Sequence, residues 1–364
     1  METSQLTSEE FWHGAQSYAF ANPRDTVQVE AALLLDEWLA ENLPAHLCFA
    51  TSGSTGEVKW VAVSKSAMLA SAEAVNAHLS VTESDRWLLT LPTFHVGGMG
   101  IVARAFLSGS QVTVASGSWS AEKFLHNVDG CSLTSMVPTQ LSDVVAVGEA
   151  PPRSLRGVLI GGGRLDDALY EEAVSLGWPV METYGMTEAC SQVATAQVGG
   201  RVLEPLPCWE LDLIDDRLAL QGSPLFSGYI TRLHNNWELN TATDDGWFLT
   251  NDRVQIEGGT LEVLGRVDRC VKILGELVNL DAVCHGEGRA VIALPDARKG
   301  SRLVACYESN EVIDIKKHNA ECPPLHRLDG GYELEIPRSP LGKIRYQRLA
   351  EMVLEIEAGL SGES

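Results

Sequence analysis

Apolar positions recur along the first two thirds of the chain in two alternating rhythms. Residues 29–43 carry them at helical spacing, and residues 47–50 form a short apolar run ending in a Ser/Thr/Gly loop. The Ala-rich stretch 64–79 is again helical, 87–91 has the length and composition of a strand, and 98–107 is helical. Stretches 112–115, 155–160 and 179–183 read as further strands, separated by helical stretches such as 166–175. Short apolar runs alternating with amphipathic helices predict α/β layers around a largely parallel sheet. In such a sheet the loops at strand ends are where ligands bind.

From about residue 211 the rhythm changes. LDLIDD, RLALQG, GWFLTND, VQIEGG and TLEVLG are short strands separated by turns, which predicts an antiparallel, barrel-like portion. RAVIALP, RLVACYE, YELEIP and a closing helix from Tyr346 then predict a small α+β domain. The turn at 265–268 is the expected boundary, giving a large domain over 1–267 and a small one over 268–364. No internal repeat is present.

Composition narrows the function. Lys+Arg 27 against Asp+Glu 49 gives a net charge of −22 in 364 residues. So acidic a surface repels phosphate backbones and anionic lipids, so nucleic acid and membrane surfaces are not expected partners. An anionic ligand must be held by a local pocket. The first dozen residues lack the basic-then-apolar pattern of a targeting signal. No apolar run approaches the roughly 18 residues of a membrane span. Eight scattered cysteines without a C-x-x-C pair predict free thiols in a reducing compartment, the cytoplasm. Cys306, His318, Cys322 and His326 lack the close cysteine pair of a zinc site, and Pro323–Pro324 interrupts them.

Candidate chemistry sits in a few loops. TSGSTGEVK (51–59) gathers Thr51, Ser52, Gly53, Ser54, Thr55, Gly56 and Lys59 between an apolar strand and a helix. Glycines admit an anion close to the backbone, and hydroxyls, N–H groups and the lysine can ring a phosphate. The lysine lies three residues beyond the second glycine, so this is not a Walker A loop. ETYGMTEACSQ (182–192) offers Tyr184 and Gly185 near a base, Thr187 for a phosphate oxygen and Glu188 for Mg²⁺. Alone, that segment reads equally well as a strand-to-helix turn with Thr187 as its cap. GWFLTND ends in Asp252, GRVDRCVKILGE carries Arg266 and Asp268, and IPRSPLGKIR presents Lys343 on a Pro/Gly-bounded loop.

Together, in this order, these segments resemble the adenylate-forming superfamily of acyl-CoA synthetases, carrier-protein adenylation domains and luciferases. TSGSTGEVK is similar to its phosphate loop, YGMTE to its adenine and magnesium motif, and GWFLTND to its ribose aspartate. GRVDRCVKILGE is similar to its hinge and SPLGK to its catalytic-lysine loop. LPTFHVGGMGIVARAFLSG (91–109) and YGMTEACSQVAT resemble the o-succinylbenzoate-CoA ligases of menaquinone biosynthesis in particular.

The resemblance implies two half-reactions. A carboxylate and ATP form an acyl-adenylate and pyrophosphate, and the CoA thiol then displaces AMP. It further implies Lys343 at the α-phosphate, Thr187 orienting it, Glu188 on Mg²⁺, and the 51–59 loop at the β/γ-phosphates. Asp252 and Arg266 would take the ribose, while Gly161, Gly162, Gly163 and Tyr184 flank the adenine. His95 would gate the passage between acid and CoA, and Asp268 would be the hinge. Arg104, on an apolar helix where a lone cation is costly, meets either a substrate carboxylate or a nearby acid. Ser191 and Gln192 line the acid pocket or simply pack. ATP, Mg²⁺, CoA and a small carboxylic acid are the implied ligands, and a homodimer is compatible with the resemblance. Rival readings are another aryl- or acyl-CoA ligase, a carrier-protein adenylating enzyme, or a catalytically silent adenylate-binding module. Relatives usually carry a longer segment before the phosphate loop, and the C-terminal domain is expected to be abbreviated.

Overall fold

The computed structural model describes residues 2–52, 58–115, 117–233, 236–274, 276–283, 288–296, 298–339 and 342–361. The chain forms two compact units. The first holds Met1–Ile214, Leu218–Thr250 and Ile256–Glu262, the second Asp215–Arg217, Asn251–Gln255 and Val263–Ser364. No helix among the described residues is long and apolar enough to cross a membrane.

The first unit is built on two sheets. One runs Tyr18–Phe20, His46–Ser52, Val58–Ser64, Gly228–Leu233, Asn236–Asn240. The other has seven strands in the order Glu204–Pro205, Ala194–Thr195, Val180–Tyr184, Gly157–Ile160, Leu133–Met136, Arg86–Leu89, Gln111–Val114. Its last five are parallel, as the strand–helix alternation predicts. Between strand and helix the chain uses side-chain caps: Ser64 accepts from Ala67 N–H at the start of Lys65–Leu79, and Asp166 from Ala168 N–H before Asp167–Ser175. Helices Ala121–Asn127, Pro138–Val147 and Asp167–Ser175 bury Phe124, Leu141, Val144 and Ala173 against Leu88, Val158 and Val180 of the sheet.

Two differences from the sequence reading bear on function. The 51–59 segment runs into a strand, Val58–Ser64, before the helix begins. Its β-branched VKWVAVS buries Trp60, Val61, Ala62 and Val63 completely, a pattern that the Ala-rich helix behind it masks. The stretches GWFLTND and VQIEGG form one strand, Phe248–Glu257, in a four-stranded sheet with Trp209–Ile214, Arg217–Gly222 and Thr260–Arg266. At the other end of the chain, Lys65 is buried and its ammonium donates to the carbonyls of Phe11 and Gly14, which ties the helix Glu9–His13 to the unit.

The start of the parallel sheet is pinned by an ion pair. Arg156 grips Asp85 with Nε to Oδ1 and Nη2 to Oδ2, both 2.9 Å, and Thr82 N–H donates to Oδ2. The Arg156 hydrogen bonds hold the Asp85 carboxyl down at about 2. Its native pKa thus lies below the unfolded value, so its contribution is complete above pH 4 and fades as the pH falls towards 2. Asp85→Asn should lose about 1–2 kcal/mol of urea-measured stability at pH 7 and less of it at pH 3. A loss that is the same at both pH values would mean that packing, not charge, is what the substitution removes.

In the second unit, Arg289–Asp296, Gly300–Tyr307 and Gly330–Glu333 form a three-stranded sheet covered on both faces. Val291, Leu303 and Ala305 meet Ile273, Val278 and Leu328 on one face. Ala290, Ile292, Leu294 and Val304 meet Leu349 and Val353 of helix Tyr346–Ser361 on the other. Burial on both faces is why RAVIALP is apolar without alternation.

Candidate active site

In the seven-stranded sheet the chain first moves outward from Arg86–Leu89 to Gln111–Val114. It then crosses to Leu133–Met136 on the opposite side and continues through Gly157–Ile160 to Val180–Tyr184. The order therefore reverses between Arg86–Leu89 and Leu133–Met136. A crevice opens at the carboxyl ends of strands beside such a reversal. The loop leaving Arg86–Leu89 ends at His95, whose carbonyl accepts from Gly98 and Met99 N–H to start the helix Val96–Ser108. Its ring packs on Phe94, centroids 4.6 Å apart.

The loop Gly161, Gly162, Gly163 leaves Gly157–Ile160 at the same end of the sheet. Thr183 Oγ1 donates to the Ile160 carbonyl at 3.0 Å, and a Cβ on Gly161 would lie 2.5 Å from that oxygen. Glycine avoids that clash, and Gly162 and Gly163 beside it are exposed.

Strand Val180–Tyr184 runs into a tight turn. A Cβ on Gly185 would fall 1.5 Å from the Ser191 carbonyl, and Cys190 and Ser191 both take positive φ, +54° and +110°. Within this turn Thr187 and Glu188 sit on a single turn of 3₁₀ helix, Thr187–Ala189. Its far end sets Ser191 against Arg104.

Arg104 is 1% exposed, because the helix that carries it is buried from Gly98 to Ala105. Its Nη2 lies 3.4 Å from Ser191 Oγ, its guanidinium 5.6 Å from the Trp87 ring, and among the described residues its Nε has no hydrogen-bond partner. Gly100 makes the room: a Cβ there would meet Nη2 at 3.2 Å. Burial pulls the guanidinium down to about 10, still cationic at neutral pH. Among the described residues no carboxylate pairs with it, so of the two sequence alternatives the nearby acid is not what is seen. Gln192 is buried too, but its carboxamide oxygen accepts from Thr195 Oγ1 at 2.8 Å and its carbonyl from Trp209 Nε1.

Glu188 meets Lys59 through a residue that the sequence did not single out. Tyr229, in Gly228–Leu233, donates its hydroxyl to Glu188 Oε1 at 2.9 Å, and the Lys59 ammonium stands 3.2 Å over its ring. Desolvation draws the Lys59 pKa down while the Glu188 charge opposes that. Thr51 Oγ1 donates to the Lys59 carbonyl at 3.1 Å, across the base of the loop. Gly53, Ser54, Thr55 and Gly56 lie outside the described residues, and of Ser52 only the backbone is described.

The other candidates belong to the second unit. Asp252 is buried, and Arg266 Nη1 lies 3.2 Å from its Oδ1. The same guanidinium grips Asp268 with Nε to Oδ1 at 2.9 Å and Nη2 to Oδ2 at 2.8 Å, which lowers the Asp268 pKa. Lys343 is exposed on a turn closed by Ser339 N–H to the Lys343 carbonyl at 2.7 Å, with Gly342 at φ +74°. Pro340 and Leu341 of that turn lie outside the described residues.

Comparison with known proteins identifies the family. The signature of the AMP-binding enzymes matches residues 5–230, more than half of the chain. The 2-succinylbenzoate–CoA ligase of Escherichia coli K12 is 32% identical over 286 residues, covering 75% of this chain and 61% of the relative. That of Listeria monocytogenes serotype 4b is 30% identical over 352 residues, covering 88% and 73%. The chain spans about three fifths of the length of several such relatives. Among solved structures, a variant of E. coli MenE with bound OSB-AMS is similar at a TM-score of 0.72 and 28% identity, over 84% of this chain and 68% of that one. The o-succinylbenzoate CoA synthetase (MenE) of Bacillus subtilis, in complex with the acyl-adenylate intermediate OSB-AMP, shares the fold at a TM-score of 0.75 and 22% identity, over 96% and 81%.

Proposed function

The chain belongs to the AMP-binding enzyme family, and from that premise we propose that it is an ATP-dependent acid–CoA ligase acting on o-succinylbenzoate through an acyl-adenylate. One observation carries the reading. The single turn 184–192 holds Glu188 in the Lys59–Tyr229 cluster and, three residues on, Ser191 against the buried guanidinium of Arg104, which no carboxylate among the described residues pairs. A group suited to phosphate chemistry and a group suited to a carboxylate are thus held on one short, strained segment. Fixing two reactants side by side removes much of the entropic barrier to their reaction. Relatives named for 2-succinylbenzoate support that acid, which has a second carboxylate for Arg104 to hold.

In the first half-reaction an acid oxygen attacks the α-phosphorus and the bond to the pyrophosphate oxygen breaks. In the second the CoA sulfur attacks the acyl carbon, AMP leaves and the thiol proton is lost. The first step brings two anions together, so the chain must supply cations and donors. We assign Lys343 to the charge at the α-phosphate, Thr187 to its orientation, and Lys59 with the 51–59 loop to the β/γ-phosphates. Asp252 with Arg266 takes the ribose hydroxyls, Gly161–Gly163 and Tyr184 the adenine, His95 the gate and Asp268 the hinge of a 268–364 domain.

The oxygen donor of Glu188, half-buried and held by one hydrogen bond, suits Mg²⁺, which favours one or two carboxylates plus phosphates and water. Bound there, Mg²⁺ would neutralise charge on the phosphate oxygens. The seven described cysteines are free thiols, which supports a cytoplasmic location.

The test is pyrophosphate release with ATP, Mg²⁺ and o-succinylbenzoate, with and without CoA. Acid-dependent release, with a CoA thioester formed when CoA is present, is the expected result. Release only with another aromatic or fatty acid would move the substrate, and silence across an acid panel would leave an adenylate-binding module.

A further inference from the structure

We propose that Tyr229 is a positioning residue that holds Lys59 and Glu188 side by side without letting them neutralise each other. The inference rests on the adenylating reading above. An ammonium and a carboxylate this close in a half-buried site would ordinarily form an ion pair. An entering metal–nucleotide would then have to break that pair, because it needs the cation for phosphate oxygens and the anion for the metal.

The geometry points to a different arrangement. The ammonium stands 3.2 Å from the centre of the Tyr229 ring, where the face of the π-system satisfies a cation without removing its charge. The hydroxyl of the same side chain donates to Glu188 Oε1 at 2.9 Å, which orients the carboxylate. One tyrosine is therefore a platform for the lysine and a clasp for the glutamate.

The tyrosine itself is fixed from three sides. Tyr229 pairs with Val61 in the antiparallel ladder, which puts Lys59 on the same face, on the diagonal. Phe226 meets its ring edge-on at 4.8 Å. The Phe226 N–H donates to the Glu188 carbonyl at 2.9 Å, so the segment carrying the tyrosine is bonded to the residue that it positions. Among the described residues no group of three His, Cys, Asp or Glu side chains could hold a metal by itself, so the orientation of this one carboxylate matters.

Calorimetric titration of the full chain with MgATP and, separately, with AMP tests the assignment. Tyr229→Phe keeps the ring and its packing but removes the clasp. MgATP should then bind ~5–10-fold more weakly, about the net worth of one ordinary hydrogen bond, with AMP affinity within about twofold and an unchanged Tm. Tyr229→Leu, which also removes the platform, should weaken metal-free ATP as well, because Lys59 is free to collapse onto Glu188. Unchanged MgATP affinity in Tyr229→Phe, or an equal loss for AMP, overturns the role. A parent chain that binds neither nucleotide overturns the adenylating reading instead, and this inference with it.

Discussion

Lys343→Ala is expected to lower acid-dependent pyrophosphate release by about 10²–10³-fold, the usual cost of removing one preorganised donor from a developing charge. The residue is exposed on a turn whose hydrogen bonds come from Ser339 and from the Lys343 backbone. Trimming an exposed side chain there should change stability by no more than roughly 0.5 kcal/mol, so lost activity cannot be ascribed to unfolding. Thioester formation from preformed acyl-adenylate and CoA should stay within several-fold of the parent. The phosphoryl charge has already been resolved in that substrate, so the role proposed for the lysine ends with the first step. Single-turnover assays of each half-reaction make the comparison. Equal losses in both would remove Lys343 from its assigned step.

Arg104 carries the second large effect, and its sign differs between two measurements. The guanidinium is fully buried, its Nε has no partner among the described residues, and burial has drawn its pKa down to about 10. The folded state thus holds a charge that it would keep more easily in water, and the penalty is present at neutral pH because the group stays protonated. Arg104→Met keeps the length of the side chain and removes the charge. Unfolding stability should hold or rise, in the manner of buried charges replaced by apolar groups. The KM for o-succinylbenzoate should rise by roughly 10–150-fold, the loss of a hydrogen bond to a charged group worth about 1.5–3 kcal/mol. A stabilised protein with weakened acid binding is the signature of a cation kept for a ligand. A destabilised one with an unchanged KM would make Arg104 a structural residue supporting Ser191 and Trp87.

Much of this architecture was legible in the chain because its signals are local. The strands 157–160 and 180–184, the helices 65–79 and 96–108 and the closing helix from Tyr346 each announce themselves within a dozen residues by period and bounding turns. The strand Val58–Ser64 did not, because four consecutive buried residues resemble a core helix as much as a strand, and only pairing with His46–Ser52 and Gly228–Leu233 decides between them. The hairpin 228–240 was missed for the same reason. Its strands are short, and its partner strand is more than 160 residues away.

The sequence by itself determined which chemical groups this protein owns and in what order: the hydroxyl-rich loop before Lys59, the Thr187–Glu188 turn, the Asp252 and Arg266 pair of motifs, and Lys343 near the end. Those are properties of residue type and short spacing, and they survive in any conformation. Tertiary structure alone decided how the groups are held. Among the described residues no acid pairs with Arg104 because of what lies around a buried helix face, and Ser191 reaches it only through a turn that Gly185 allows to close. Tyr229 lies between Lys59 and Glu188 because a strand from far along the chain pairs beside the phosphate loop. Such contacts join residues whose separation along the chain carries no pattern, so they come into being only when the sheet is assembled.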